Sequence, residues 1–441
     1  MKVERLAPAR EPLDARVRLP GSKSLTIRAL VAAALSNGTS RLSHLLIADD
    51  TRLLVDVLSA LGFELTVDEP AATAVVHGSG GHVPATDADL YGGDSGATVR
   101  FATALAALGA GVYRIDGSAR MRERPIGALV DALNVLGAHA QYEGRAGYPP
   151  VIVRAAGLRG GHVALGRAPS SQMVSALLMA APAAHGDLMI EIPPDLPSRP
   201  YVRMTLAVME AFAIQCVHAA DAGEHGAGRT HQRIIVPAPQ AYRATEYAIE
   251  PDASAASYFL AAPAIAGGRV VVEQLGSSSP QGDAAFVDLL EQMGCGVARA
   301  PATLTVEGPR GGLRGIDADL SDMPDVVPTL AVVACFAEGP THIRNVGHLR
   351  VKESDRLRAL AAELSRLGAQ VEEHSDGLTI GPPRHIVPAR IRTYNDHRIA
   401  MAFALPGLAI EGIEIEDPDC VSKSFPGFFE VWKRATARPE P

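Results

Sequence analysis

The decapeptide "LPGSKSLTIR" (residues 19–28) sets Lys23 between two serines, after Pro-Gly and before an apolar run. A nucleotide P-loop requires Gly directly before its Lys-Ser/Thr pair, and here Ser22 precedes Lys23. The lysine therefore needs another explanation. Comparable cations recur: Arg124 in "RMRERP", Lys352 in "RVKESDR", Arg398 in "YNDHR" and Lys423 in "SKSFPG". Each sits at or just before an expected helix start, where a cation opposes the helix dipole. One such residue is unremarkable. Five in matching loops point to negative charge supplied by a ligand, because a helix N-terminus is a natural anion site. Around them stand Ser24, Arg28, Gly96 and Arg100. Ser170-Ser171-Gln172, Ser198, Tyr201, Asp325, Glu353 and Arg356 complete the set.

Plainer readings compete for several of these residues. Ser and Asp ahead of a helix are ordinary N-caps, and a cap or a structural pair serves for Asp50, Asp252 and Asp283. Ser170-Ser171-Gln172 reads equally as a cap or as a neutral phosphate cradle. His397 fits a buried, hydrogen-bonded histidine. Glu353 and Arg356 have the spacing of an i,i+3 ion pair.

The elements that must position these residues come from a repeat. Six apolar runs close at Gly38, Gly111, Gly186, Gly267, Gly339 and Gly412, at steps of about 75 residues. A second, amphipathic series turns at Gly62, Gly137, Ala213, Gly294 and Gly368, and its sixth member is "FFEVWKRA". The expectation is that each helix stops at its glycine, which takes the left-handed C′ conformation cheaply. Strand-like stretches follow each helix, so one unit reads βαβαββ. The longest step in both series contains residues 219–233. The fold expected is thus α/β, an α+β repeat with three units before that gap and three after it. That divides the chain into one domain over residues 22–245 and a second over 1–21 plus 246–441. The N-terminal segments "KVERL" and "DARVRL" would complete the second domain, because the sixth unit has no room for strands after its last helix.

Composition limits the partners. The chain has 441 residues, 47% of them hydrophobic, and a net charge of −8. A negative chain is a poor nucleic-acid or membrane-surface binder. Any anionic ligand must be held by local cations. Cys216, Cys295, Cys335 and Cys420 lack metal or redox spacing and read as reduced core thiols. The first residues have no apolar signal core, and the alanine-rich runs are too interrupted to span a bilayer, so a soluble cytoplasmic protein is expected.

Taken together, "LPGSKSLTIRAL", "RERPIGALVDAL", "SSQ", "SRPY", "EPDASAASYFLAA", "RVKESDRL", "TYNDHRIAMAF" and "SKSFPGF" resemble the EPSP synthase (3-phosphoshikimate 1-carboxyvinyltransferase) family over about residues 16–433. The resemblance implies two domains of three βαβαββ units with the active site in the cleft between them. It also implies transfer of the enolpyruvyl group of phosphoenolpyruvate to the 5-hydroxyl of shikimate 3-phosphate. By motif, Lys23, Ser24 and Arg28 would contact the shikimate part, with Lys23 also reaching phosphoenolpyruvate. Ser170, Ser171 and Ser198 would hold the 3-phosphate, with Gln172 and Tyr201 beside the ring. Arg124, Arg356, Arg398 and Lys423 would clamp phosphoenolpyruvate near Gly96. Asp325 would be the base for the 5-hydroxyl and Glu353 the proton donor to C3, with Lys352 at the phosphate side. No cofactor or metal is implied, and no nucleic-acid or membrane partner; a monomer is expected.

Four residues depart from the family pattern. Asp94 and Ala97 replace a common asparagine and threonine, and Ile27 replaces an asparagine. His348 stands where asparagine is common, near the substrate phosphate, where a protonated imidazole would help. Two rival functions are separable on motifs. The sister transferase acting on UDP-N-acetylglucosamine would carry Ala-Lys-Asn in place of Ser22-Lys23-Ser24, and a cysteine within residues 115–123. A non-catalytic binder of phosphorylated metabolites would need the cations but not Asp325 and Glu353.

Overall fold

The computed structural model describes residues 2–166, 170–220 and 232–437. Most of the 219–233 segment therefore lies outside the described residues. Twelve α-helices occur among the described residues, two per repeat. They are α1 (Lys23–Ala34) and α2 (Asp49–Ala60), α3 (Gly96–Ala106) and α4 (Gly127–Val135), and α5 (Ser171–Ala180) and α6 (Pro200–Ala211). After these come α7 (Ala253–Ala266) and α8 (Phe286–Gln292), α9 (Val327–Val333) and α10 (Arg356–Arg366), and α11 (His397–Ala402) and α12 (Phe428–Thr436). The odd-numbered helices are apolar nearly all round and are buried, as such helices must be. In α1 every residue from Leu25 to Ala34 is buried, and in α7 every residue from Ala253 to Ala264. Among the even-numbered helices, α2 and α10 bury one face only. None of the helices is long and apolar enough to cross a membrane.

The second repeat shows the pattern. Its sheet runs Asp87–Tyr91, Ala110–Asp116, Val151–Ala156, His139–Tyr142, with the first pair parallel and the others antiparallel. In the first and fourth repeats the parallel edge strand is borrowed. Residues 242–248 lie parallel to Ser36–Ser43, and Leu13–Val17 lies parallel to Gly268–Glu273. The two N-terminal segments therefore serve different sheets. Leu13–Val17 completes the fourth repeat, while Val3–Arg5 pairs antiparallel with Glu414–Glu416 and completes the sixth.

The chain folds as two compact units, the described parts of Gly21–Ile249 and of Met1–Pro20 with Glu250–Pro441. The first unit reaches past residue 245 because Glu246–Ala248 is hydrogen-bonded to its first sheet. Each unit has its own apolar core.

The two glycine series behave differently. All five turns of the second series hold a left-handed residue directly after the helix cap: Gly62, Gly137, Gly294, Gly368 and also Ala213, with φ of +67°. In the first series only Gly267 caps its helix. The helices α1 and α3 end before Gly38 and Gly111, which lie within strands. At Gly111 the reason is a close approach, since a Cβ there would sit 1.6 Å from the Thr86 carbonyl oxygen. That correction leaves the repeat intact but changes what its glycines do.

Candidate active site

The expected site residues fall into two clusters, one in each unit. In the unit 21–249, Pro-Gly before Lys23 lets the chain pass close to a neighbouring loop. A Cβ on Gly21 would lie 1.8 Å from the His44 carbonyl oxygen. Ser22 then caps α1, and Lys23 is its first residue. The cation at this helix start has an internal counter-charge: Lys23 Nζ lies 3.4 Å from Asp50 Oδ2, in the first turn of α2. The expectation that a ligand alone offsets these cations is thus corrected, since the fold supplies part of the negative charge.

One turn along, Arg28 is 2% exposed. Its guanidinium donates to Thr205 Oγ1 (2.8 Å), Ser175 Oγ (3.1 Å) and the carbonyl oxygens of Ser24 and Tyr201. The rings of Phe101 and Tyr201 flank it. No carboxylate among the described residues pairs with it, and burial pulls it down to about 10. A cation buried among neutral acceptors and rings is incomplete without an anion. Thr205 and Ser175 escaped the motif reading. Their signal is a hydroxyl inside an apolar helix, four residues after Tyr201 and Ser171.

Ser170 caps α5 by accepting from the Gln172 backbone N–H at 3.3 Å, and Ser171 is the first, buried residue of that helix. Ser198 is buried with φ of +60°, a left-handed conformation rare for serine, just before α6 carries Tyr201. The contacts among α1, α3, α5 and α6 bring these starts into one cluster.

Gly96 opens α3. A Cβ there would stand 2.6 Å from Arg124 Nη2 and 2.8 Å from Arg100 Nη1, so only glycine lets two guanidinium groups crowd this helix start. Arg124 is buried and donates to the Asp94 carbonyl oxygen, while Arg100 donates to the carbonyls of Gly96 and Pro125. The Asp94 carboxylate, a departure from the family pattern, accepts a short hydrogen bond from Ser118. Ile27 is buried in the apolar core, which accounts for its being apolar there.

The second cluster belongs to the other unit and centres on Arg356, 1% exposed at the start of α10. Its Nε donates to Asp396 Oδ2 at 2.8 Å, Nη1 to Asp325 Oδ1 at 3.1 Å and Nη2 to Glu353 Oε2 at 2.7 Å. Burial pulls this guanidinium down, but Asp396, Glu353 and Asp325 together hold it above its ordinary value. Arg398, second in α11, donates to the other Asp325 oxygen at 2.7 Å. Asp396 is fully buried, caps α11 and also accepts from Ser354. Lys423, nearly buried, ends a short 3-10 turn before α12. His397 is fully buried beside Asp396.

Arg356, given to phosphoenolpyruvate by the resemblance, donates to three carboxylates and so also organises them. One expectation changes here. His348 was expected to help as an imidazolium. Burial and the neighbouring Lys352 push it down to about 3, so it is neutral.

Residues 8–432 match the sequence profile of the family described as EPSP synthase (3-phosphoshikimate 1-carboxyvinyltransferase). The chain belongs to the EPSP synthase family. It is 46% identical over 418 residues to the 3-phosphoshikimate 1-carboxyvinyltransferase of Nostoc punctiforme, covering 95% of each chain. It is also 46% identical to the chloroplastic enzyme of Arabidopsis thaliana, covering 98% of this chain and 84% of that one. Among solved structures, the EPSP synthase of Acinetobacter baumannii superposes with a TM-score of 0.80 at 27% identity, covering 99% of this chain and 98% of that one. An enolpyruvyl transferase of Streptomyces tendae shares the fold, with a TM-score of 0.77 at 20% identity, covering 99% of this chain and 97% of that one. As a member of the EPSP synthase family, the chain is a transferase that binds small-molecule substrates.

Proposed function

We propose that this protein transfers the enolpyruvyl group of phosphoenolpyruvate to the 5-hydroxyl of shikimate 3-phosphate and releases inorganic phosphate. The observation that carries the reading is the pair of carboxylates, Asp325 and Glu353, held on the one buried guanidinium of Arg356. A protein that only bound phosphorylated metabolites would gain nothing from acids arranged this way. Addition and elimination both need them.

In the first step the 5-hydroxyl oxygen bonds to C2 of phosphoenolpyruvate and its proton passes to Asp325. Glu353 delivers a proton to C3, which becomes a methyl group. In the second step the bond from C2 to the phosphate oxygen breaks, phosphate leaves with the electron pair and takes up the proton held by Asp325, and the methyl group returns a proton to Glu353. Lys23, Ser24 and Arg28 bind the shikimate part. Ser170, Ser171 and Ser198 take its phosphate, with Gln172 and Tyr201 beside the ring. Arg124, Arg356, Arg398 and Lys423 meet the charges of phosphoenolpyruvate, with Lys352 at the phosphate side, since guanidinium forks match carboxylate and phosphate. The protein acts as a cytoplasmic monomer in this reading.

Phosphate release with phosphoenolpyruvate and either shikimate 3-phosphate or UDP-N-acetylglucosamine tests it. Turnover with shikimate 3-phosphate alone is expected. Turnover only with the nucleotide sugar, or saturable binding of both substrates without release, contradicts it.

A further inference from the structure

Glu363 carries a buried carboxyl group that the mechanism above does not use. It lies two turns after Arg356 on α10 and is 1% exposed. The plain reading is an i,i+3 pair with Arg366, whose Nε is 3.4 Å from Oε2. That pair leaves the burial unexplained, because Arg366 is itself exposed. The closer partners lie elsewhere. Glu363 Oε2 accepts the Arg392 backbone N–H at 3.1 Å, and Oε1 accepts the Tyr394 hydroxyl at 2.8 Å.

Both partners belong to the segment that leads into α11. Thr393 to Asp396 form a tight turn, closed by the Asp396 N–H donating to the Thr393 carbonyl oxygen at 2.8 Å. Its central residues, Tyr394 and Asn395, have φ of +55° and +54°. Turns with two left-handed residues are built mostly from Gly, Asn and Asp. Asn395 fits that rule and Tyr394 does not. Strained backbone of this kind persists only where the surroundings hold it. Glu363 supplies the hold, at the residue before the turn and at the strained residue itself. Arg366 adds a third tie, from Nη2 to the Arg390 carbonyl oxygen at 2.7 Å.

The turn delivers Asp396, which accepts from Arg356 Nε at 2.8 Å and caps α11 through the Arg398 backbone N–H. Arg356 and Glu363 stand about 10 Å apart along the α10 axis. One helix thus grips the segment at two points, and only the first of them touches the cluster of reacting groups. We infer that Glu363 is a positioning residue for that cluster: it holds the Thr393–Asp396 turn so that Asp396 meets Arg356 and Arg398 meets Asp325. The inference rests on the proposed reaction, in which Arg356 and Arg398 bind phosphoenolpyruvate.

Three variants test it. Glu363→Ala removes both acceptors, and Glu363→Gln keeps the shape and an acceptor for Arg392. Tyr394→Phe removes one bond at a residue that is 42% exposed. The KM for phosphoenolpyruvate is expected to rise about tenfold in Glu363→Ala and about threefold in Tyr394→Phe, the range for one or two lost hydrogen bonds, with Glu363→Gln near wild type. The KM for shikimate 3-phosphate, assigned mostly to the unit 21–249, should stay unchanged. A merely structural role would lower the active fraction and leave both KM values alone. An unchanged KM for phosphoenolpyruvate in Glu363→Ala (or in Tyr394→Phe, if the alanine variant does not fold) overturns the inference. So does a glutamine variant as impaired as the alanine one. Hydrogen exchange in the unliganded protein separates this from failure of the reaction itself. The Arg398 amide, which donates to Asp396, is expected to exchange about tenfold faster in Glu363→Ala and at the wild-type rate in Glu363→Gln. An Arg398 amide as protected in Glu363→Ala as in wild type contradicts the inference whether or not the protein turns over.

Discussion

Arg356 and Asp396 form a fully buried ion pair, with Nε 2.8 Å from Oδ2 and side-chain exposures of 1% and 0%. Two charges so buried are stable only together. Asp396 also caps α11 through the Arg398 backbone N–H, so it fixes both guanidiniums that hold Asp325. Asp396→Ala is expected to cost about 1.5–3 kcal/mol, the loss of a buried charged hydrogen bond, because Asp325 and Glu353 still face Arg356. Urea unfolding measures it. A loss below about 1 kcal/mol, the range of an exposed pair, would contradict this account.

Gly96 makes a different kind of prediction. In Gly96→Ala the new methyl group meets the ends of two flexible side chains, Arg124 and Arg100, and no backbone atom is among the nearest contacts. The fold should tolerate it, while the guanidiniums shift off the helix start. The expected result is a KM for phosphoenolpyruvate raised about tenfold or more, as for one weakened charged hydrogen bond, with the melting temperature unchanged. An unchanged KM would mean that Arg124 does not meet this substrate.

Arg28 should separate stability from function. Its buried guanidinium has no carboxylate partner among the described residues, and Thr205 and Ser175 are also hydrogen-bonded to each other at 2.8 Å. Arg28→Met removes an uncompensated charge while keeping volume. The unliganded protein should be no less stable, because replacing buried charge by a well-packed apolar side chain is often neutral or stabilising. The KM for shikimate 3-phosphate should rise about a hundredfold, the loss of a buried charge-assisted contact. Thermal melts with and without this substrate check both halves. A destabilised variant with an unaltered KM would reverse the assignment.

How much of this was legible beforehand depended on whether a residue's role is local. Left-handed turns are local, and the second glycine series was read correctly, including Ala213 at +67°. Gly38 and Gly111 were misread because their freedom serves strand packing, which spacing along the chain does not reveal. Lys23 and Arg398 stand at helix starts as their neighbours suggested, yet their internal partners, Asp50 and Asp325, come from other elements. The same distance hid the Arg28–Thr205–Ser175 network and the partnership of Ser254 with Asp283. His348 looked chargeable from its type alone; burial beside Lys352 decides otherwise.

The central claim is addition and elimination through C3, with Glu353 moving the proton. Turnover of phosphoenolpyruvate and shikimate 3-phosphate in deuterium oxide, followed by proton and phosphorus NMR, tests it most directly. The account predicts inorganic phosphate together with an enolpyruvyl ether whose methylene carries deuterium, and loss of both in Glu353→Gln. Phosphate release with an unlabelled methylene, or full labelling in Glu353→Gln, would contradict it.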